Sequence, residues 1–215
     1  MSERIVVVVS GGRAPAPHAA GAVPPGAPVV AADEGLEHAL ALGLDVTVAV
    51  GDFDSASPEA VIAAEAAGVR IERHPEEKDA TDLELALDVA IAMEPDRILV
   101  LAPGGGRFDH ALASVLLLSS PRYARSQVDA FVGEALVHVV RGTRELEGEL
   151  GALVTLLAVG GPAEGVRTEG LVYALRGETL EPGSSRGVSN VFAAERATIT
   201  VERGVVLVVR PGTRA

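Results

Sequence analysis

The sequence has 215 residues, which is enough for one large domain or two small ones. Apolar residues make up 48% of it, ample for a core, and the net charge of −12 argues against a nucleic-acid or anionic-membrane surface, both of which favour basic patches. With no cysteine, the chain has neither disulfides nor thiolate chemistry, as is typical of a reducing cytoplasm.

Short apolar runs alternate with helical patterns through the first part of the chain. The first run, residues 5–9, is too short for a signal peptide or a membrane span, and the loop over residues 11–28 is too rich in glycine and proline for a helix. Strands are predicted at residues 5–9, 29–32, 46–50, 69–73 and 97–102, and helices at residues 34–42, 58–67, 83–93 and 109–119. This alternation predicts an α/β domain with a doubly wound parallel sheet.

The pattern changes after about Ser126. Short β-rich runs separated by glycine and proline turns follow, at residues 135–140, 152–159, 170–175, 188–192, 197–201 and 205–209. They predict a second, antiparallel domain built as a small β-sandwich. We expect residues 1–130 to form the α/β domain and residues 131–215 the β domain.

Two carboxylates follow the third predicted strand, in the stretch Gly51-Asp52-Phe53-Asp54-Ser55. In an extended segment Asp52 and Asp54 point the same way and Phe53 turns back into the protein. Open α/β sheets place ligands at this edge. Two close carboxylates repel each other, which raises the pKa of one of them unless a cation lies between them, and carboxylate oxygens suit Mg²⁺. The alternative for this stretch is a solvated acidic turn.

A second polar cluster, Lys78-Asp79-Ala80-Thr81-Asp82, stands where a helix is predicted to begin. A helix N-terminus favours anions, lysine pairs with phosphate, and Asp82 adds a third carboxylate for a metal. The alternative is ordinary helix capping by Thr81 or Asp79, with Lys78 solvated.

Two further features fall at strand ends. Asp33 follows the second strand, either as a helix N-cap or as a carboxylate that faces a ligand. Gly104-Gly105-Gly106-Arg107 follows the fifth strand, where backbone amides and a guanidinium can approach a phosphate. This loop lacks both the Walker and the dinucleotide-binding signatures. The residues alone favour a Mg²⁺-dependent enzyme acting on a nucleoside triphosphate. A phosphatase of the haloacid dehalogenase type and a non-catalytic nucleotide or vitamin sensor are the other candidates.

Together with Gly187-Val188-Ser189-Asn190, these motifs resemble the thiamine pyrophosphokinase family over nearly the whole chain. The resemblance implies transfer of a pyrophosphoryl group from ATP to the hydroxyl of thiamine, which gives thiamine diphosphate and AMP. It also implies a cytoplasmic homodimer that shares its active site between the α/β domain of one copy and the β domain of the other. The nearest rival is a pyrophosphokinase for another acceptor, such as a hydroxymethylpterin.

The resemblance assigns roles residue by residue. The metal and catalytic group is Asp52, Asp54 and Asp82, with Mg²⁺ as cofactor and one of the carboxylates expected to accept the hydroxyl proton. The ATP contacts are Lys78, Asp79, Thr81, Gly105, Arg107 and Asp109. The thiamine contacts are Asp33, Ser189 and Asn190. The chain has no tryptophan, and Tyr173 lies where the family often has an aromatic residue. Asp33 is followed by Glu34 where the family usually has glycine.

Overall fold

The computed structural model describes residues 3–102 and 107–212 and divides the chain into two compact units. The first unit runs to Leu117 and takes up Arg125–Gly133, and the second consists of Leu118–Ala124 and the chain from Glu134 onwards. Within the described ranges, no helix has the length and apolar content needed to cross a bilayer.

The first unit contains a six-stranded parallel sheet. Its strands are β1 (Ile5–Val9), β2 (Val29–Ala32), β3 (Val46–Gly51), β4 (Arg70–Arg73), β5 (Arg97–Ala102) and β6 (Gln127–Val132). They lie in the order β6-β5-β1-β2-β3-β4, and each neighbouring pair is parallel. The order reverses at β1, since the chain adds strands on one side of it and then on the other. Ligands bind beside such a point in open α/β sheets.

Both faces of this sheet are buried. Val6 and Val8 on one face of β1 are as inaccessible as Val7 and Val9 on the other, which explains the uninterrupted run of valines. Helices α1 (Gly35–Ala41), α2 (Pro58–Ala66) and α3 (Asp82–Ala92) pack on the strands of this sheet, and a fourth helix, α4 (Phe108–Leu118), follows β5 and is buried only at Leu118. The predicted helices are confirmed to within two residues at each end. The predicted loop over residues 11–28 instead contains a short 3₁₀ helix, Pro17–Ala22.

The second unit is a sandwich of two antiparallel sheets. One has the order β12-β9-β14-β7 and the other β11-β10-β13-β8. The strands are β7 (Ala135–Val140), β8 (Thr143–Glu147), β9 (Leu153–Ala158), β10 (Ala163–Glu169), β11 (Arg176–Leu180), β12 (Asn190–Val191), β13 (Arg196–Thr200) and β14 (Val206–Arg210). Side chains from both sheets, among them Val154, Ile199 and Val206, form one buried core. The predicted fold class, an α/β domain followed by a β-sandwich, is confirmed.

The strand assignments from the sequence need correction in several places, and β8, β10 and β11 were not predicted. The prediction of a strand over residues 170–175 is wrong, because there only Leu171 forms a β-bridge, with Phe192. Strand β6 was not predicted, since Asp129 interrupts its apolar pattern. Asp129 is fully buried, and its charge is met by Arg97 of the neighbouring β5, whose Nε donates to Asp129 Oδ2 at 2.6 Å.

Candidate active site

Three carboxylates meet at the carboxyl edge of the parallel sheet. Asp33 follows β2, Asp52 follows β3, and Asp82 is the first residue of α3. One oxygen from each lies within 4.8 Å of the other two. Three residues that are far apart in the sequence therefore form a single acidic group, which we call the carboxylate cluster.

Gly51 makes this close approach possible. A Cβ atom at this position would lie 3.2 Å from Asp33 Cβ and 3.2 Å from Asp82 Oδ1, so a larger residue would push the two carboxylates apart. Its φ of 153° is also one that side-chain-bearing residues rarely adopt. The absence of a side chain at Gly51 thus allows Asp33 and Asp82 to lie close together.

Asp33 is the most buried member of the cluster, at 8% exposure. It does not cap α1, whose N-cap is Glu34 and which has no side-chain capping bond. Burial raises the pKa of Asp33, an effect that the amide of Glu34 opposes and the charges of Asp82, Asp54 and Asp52 reinforce. Its Oδ1 has no hydrogen-bond partner among the described residues. A buried carboxylate oxygen without a partner is the kind of atom that a metal ion would satisfy.

Lys78 lies against the same cluster and is not solvated, since its side chain is only 14% exposed. Its Nζ is 2.6 Å from Asp52 Oδ2 and 2.9 Å from Asp82 Oδ1. The hydrogen bond from Lys78 lowers the pKa of Asp52 although burial opposes the shift. Burial alone would lower the pKa of Lys78, but the hydrogen bonds and charges of Asp52 and Asp82 raise it overall. Both groups are therefore held in their charged forms.

Asp54 has a different setting from Asp52. The chain turns rather than extends here, because Phe53 has a φ of 61° and the Asp54 amide donates to Asp52 Oδ1 at 3.2 Å. The expected alternation along an extended segment is therefore wrong, although Phe53 does turn into the core, under the guanidinium of Arg73. The exposed Asp54 carboxylate accepts the Ser55 hydroxyl and lines the cavity beside the cluster.

The cluster opens into a cavity of about 730 Å³. Its lining includes Lys78, Thr81 and Arg107 from the predicted nucleotide contacts. Thr81 also caps α3, since its hydroxyl oxygen accepts the Glu84 amide at 3.3 Å. The capping interpretation therefore holds for Thr81 but not for Lys78. A volume of this size is in the range of small-molecule pockets.

Of the remaining predicted nucleotide contacts, only Arg107 lines the cavity among the described residues. Arg107 forms a bidentate pair with Asp109, with Nη2 to Oδ2 at 2.6 Å and Nε to Oδ1 at 3.2 Å. The Arg107 side chain is 70% exposed and still lines the cavity. Asp79 and Asp109 are exposed and, among the described residues, are not part of the cavity lining. Gly105 lies outside the described residues.

One wall of the cavity was not anticipated from the sequence. The residues after β1, including Gly12 and Arg13, line the cavity together with Glu34. Glu34 Oε2 accepts the Gly12 amide at 3.1 Å, and the His38 ring lies 2.6 Å from the Gly12 carbonyl oxygen. Glu34 thus ties helix α1 to the loop after β1. The signal for this wall was the Gly11-Gly12 pair directly after the first strand.

In the β unit, the side-chain amide of Asn190 is used within the fold. Its Oδ1 accepts the Tyr173 amide at 3.0 Å and the Val191 amide at 2.9 Å, and its Nδ2 donates to the Tyr173 carbonyl at 2.8 Å. Asn190 is buried, at 2% exposure, whereas Tyr173 is 61% exposed. Asn190 therefore fixes the backbone that presents the Tyr173 side chain.

Exposed apolar side chains surround this arrangement. Val172 is 54% and Leu153 53% exposed, and each adjoins β12 through backbone pairing with Val191. Ser189 is exposed, has a φ of 56° and donates its amide to Thr155 Oγ1 at 3.1 Å. The β unit thus carries an apolar surface patch with an aromatic ring beside it, and the nearby Ser189 hydroxyl has no hydrogen bond to any of the described residues.

These features define a class of protein: an α/β unit with an acidic, cation-bearing cavity at its sheet edge, followed by a β-sandwich unit. The thiamin pyrophosphokinase catalytic-domain profile matches residues 27–131, and the thiamin pyrophosphokinase vitamin B1 binding-domain profile matches residues 138–206. The chain belongs to the thiamine pyrophosphokinase family.

Individual relatives agree with this assignment. A thiamine pyrophosphokinase of Bacillus subtilis is 26% identical over 185 residues, which span 84% of this chain and 86% of the relative. A crystal structure of thiamine pyrophosphokinase from Bacillus subtilis shares the fold, with a TM-score of 0.84, 23% identity and coverage of 98% of this chain and 100% of its own. The crystal structure of thiamin pyrophosphokinase from Geobacillus thermodenitrificans has a TM-score of 0.81 at 25% identity, covering 98% and 99%.

Proposed function

We propose that the chain transfers the pyrophosphoryl group of ATP to the hydroxyl of thiamine and so produces thiamine diphosphate and AMP. The observation that carries the proposal is the carboxylate cluster of Asp33, Asp52 and Asp82, which opens into a cavity that also bears Lys78. A cavity with both acids and cations suits a metal-bound triphosphate, and the family assignment supplies thiamine as the acceptor.

The donor set fits Mg²⁺, which prefers carboxylate oxygens. Asp52 and Asp82 would hold the ion as the sequence predicts, and the unpartnered Oδ1 supports adding Asp33 to them. This proposal moves Asp33 from the thiamine contacts to the metal group. Asp54, at the cavity beside the cluster, stays proposed as a further ligand or as the base for the hydroxyl proton. A bound Mg²⁺ would neutralise charge on the triphosphate.

We assign the triphosphate to the cations around the cluster. Lys78 is a compact point charge for a phosphate oxygen, and the Thr81 hydroxyl can donate to one because its own oxygen already accepts the Glu84 amide. Arg107 can hold phosphate through the fork that now pairs with Asp109. Asp79, Gly105 and Asp109 stay predicted contacts from the family resemblance.

We assign the acceptor to the β unit. Thiamine carries two flat heteroaromatic rings, and the exposed Tyr173 ring among apolar side chains supports a stacking contact. The Ser189 hydroxyl is proposed as a direct polar contact. Asn190 is proposed to act mainly by fixing Tyr173, because most of its own hydrogen-bonding capacity is used.

We also infer that the protein works as a homodimer in the cytoplasm, where ATP is available, with the α/β unit of one copy facing the β unit of the other. Large apolar side chains exposed along α4, namely Phe108 at 79%, Leu112 at 47% and Leu116 at 47%, support burial against a second copy. Light scattering tests this inference, which predicts twice the mass of the chain. A strictly monomeric and fully active protein would contradict it.

Chromatography of the nucleotide products tests the proposed reaction. With ATP, Mg²⁺ and thiamine, we expect AMP in an amount equal to the thiamine diphosphate formed, and no AMP when thiamine is omitted. ADP as the main product would indicate an ordinary kinase. AMP formation with a hydroxymethylpterin but not with thiamine would identify the rival acceptor, and binding without any product would identify a sensor.

A further inference from the structure

The position of Lys78 suggests more than a contact to phosphate. Its ammonium group bridges Asp52 and Asp82, two carboxylates of the predicted metal group that also belong to the carboxylate cluster. With 14% of its side chain exposed, Lys78 is largely shielded from water in this position. It is also the only lysine in the chain.

Lys78 and a metal ion would compete for the same atoms. The ammonium contacts Asp52 Oδ2 and Asp82 Oδ1, while the other oxygen of Asp52 already accepts the Asp54 amide. Mg²⁺ binds oxygens at about 2.0–2.1 Å, and a second cation held against those same oxygens would be repelled strongly at that range. Metal ligation through these two oxygens therefore requires the ammonium to move away.

The negative charge of the carboxylate cluster holds the Lys78 ammonium in place as long as no nucleotide is bound. The carboxylate cluster brings up to three negative charges within 4.8 Å of one another, and Lys78 is the only side chain among the described residues that is shown to form an ion pair with it. If the ammonium left without a new anionic partner, it would exchange two close carboxylates for water. A triphosphate supplies the replacement.

We propose that Lys78 is a built-in counter-cation that competes with the metal for Asp52 and Asp82 and moves to the nucleotide phosphates when the metal and the nucleotide bind together. The move of Lys78 to the nucleotide phosphates rests on the proposed function. Its competition with metal rests only on the ion pairs with Asp52 and Asp82. It follows that metal binds weakly without nucleotide, and that metal and nucleotide strengthen each other's binding through Lys78.

Binding of Mn²⁺ in the absence of nucleotide tests the competition, with free Mn²⁺ followed by electron paramagnetic resonance. Lys78→Gln and Lys78→Met remove the charge and should tighten Mn²⁺ binding by about 5- to 150-fold, the usual range of coupling between sites. Lys78→Arg keeps the charge and should stay close to wild type. Arg13→Gln is the matched control, because it removes a charge from the same cavity lining and Arg13 has no ion pair among the described residues. We expect a change of less than about 2-fold there.

A non-hydrolysable ATP analogue tests whether Lys78 moves from the carboxylates to the nucleotide phosphates. It should tighten Mn²⁺ binding to the wild type much more than to Lys78→Gln, because only the wild type has an ammonium to transfer. Unchanged or weaker Mn²⁺ binding in both neutral variants, each shown to be folded by circular dichroism, would overturn the proposal. If the neutral variants bind Mn²⁺ more tightly but the wild type forms no AMP from ATP and thiamine, the competition is upheld and the proposed reaction is rejected. Failure of the Lys78 proposal can therefore be told apart from failure of the proposed function.

Discussion

Replacement of Asn190 by alanine is expected to destabilise the β unit and to weaken thiamine binding at the same time. The substitution removes three hydrogen bonds, two to the backbone of Tyr173 and one to the amide of Val191. Because Asn190 is 2% exposed, water has little access to replace those bonds. The backbone of Tyr173 would lose both of its hydrogen bonds to the Asn190 side chain.

The size of the effect can be worked out from these bonds. A neutral hydrogen bond contributes about 1 kcal/mol net, so three of them correspond to a loss of about 3 kcal/mol in unfolding free energy. In a chain of this size each kcal/mol shifts the melting temperature by about 2–4 °C, which gives a fall of about 6–12 °C. If Tyr173 contacts thiamine, loss of its fixed position should cost about 1–3 kcal/mol of binding, or roughly 5- to 150-fold in affinity.

Thermal melts and calorimetric titrations with thiamine and with Mg²⁺-ATP measure both effects. Ser189→Ala is the matched control for the melts alone, since the neighbouring side chain is exposed and has no hydrogen bond among the described residues. It should leave the melting temperature within about 2 °C of the wild type. Affinity for Mg²⁺-ATP should stay the same in Asn190→Ala. A melting temperature unchanged by that substitution would show that the three hydrogen bonds do not stabilise the β unit. An equal loss of affinity for both ligands would show that thiamine does not bind beside Tyr173.

Three further predictions concern the α/β unit. Burial raises the pKa of Asp33 in the folded protein above its value in the unfolded chain. Between these two pKa values the folded protein holds a proton that the unfolded chain has lost, so the unfolding free energy falls as the pH rises through this range. Asp33→Asn should therefore melt higher than the wild type near pH 8 and lose this advantage as the pH falls towards about 4, and an advantage independent of pH would contradict the burial argument. Asp82→Asn should lower turnover by at least about 100-fold with little change in melting temperature, and near-normal kinetics would remove Asp82 from the metal group. Gly35→Ala should destabilise the fold severely because its Cβ would lie 2.2 Å from the Val9 carbonyl oxygen, whereas Gly21→Ala, with nothing within 4 Å, should be tolerated.

Much of the fold could be predicted because its signals are local. Runs such as Ile5–Val9 are buried on both faces of a parallel sheet and therefore contain only apolar residues. The helix that begins at Pro58 was recognisable from Ser57, whose hydroxyl accepts the Ala60 amide as a cap. Strand β6 was missed because the charge of Asp129 depends on Arg97 for compensation, and that partner lies on another strand.

The candidate site was predictable as a region but not as a set of contacts. Placing Asp52 and Asp82 together required only that strand ends and helix starts meet at one edge of the sheet. The membership of Asp33, by contrast, depends on the absence of a side chain at Gly51, a close approach that sequence spacing does not reveal. Nor does composition indicate that Lys78 pairs with carboxylates, since the same residue can equally lie in water or on a phosphate.

In the proposed reaction, two phosphates move together from ATP to thiamine at the carboxylate cluster. Its most direct test uses ATP labelled with ³²P at the β-phosphate, followed by separation of the products. We expect the label to appear in thiamine diphosphate, unlabelled AMP to be released in equal amount, and Asp82→Asn to abolish both. Label that remains in ADP, or a label transfer that Asp82→Asn leaves unchanged, would contradict it.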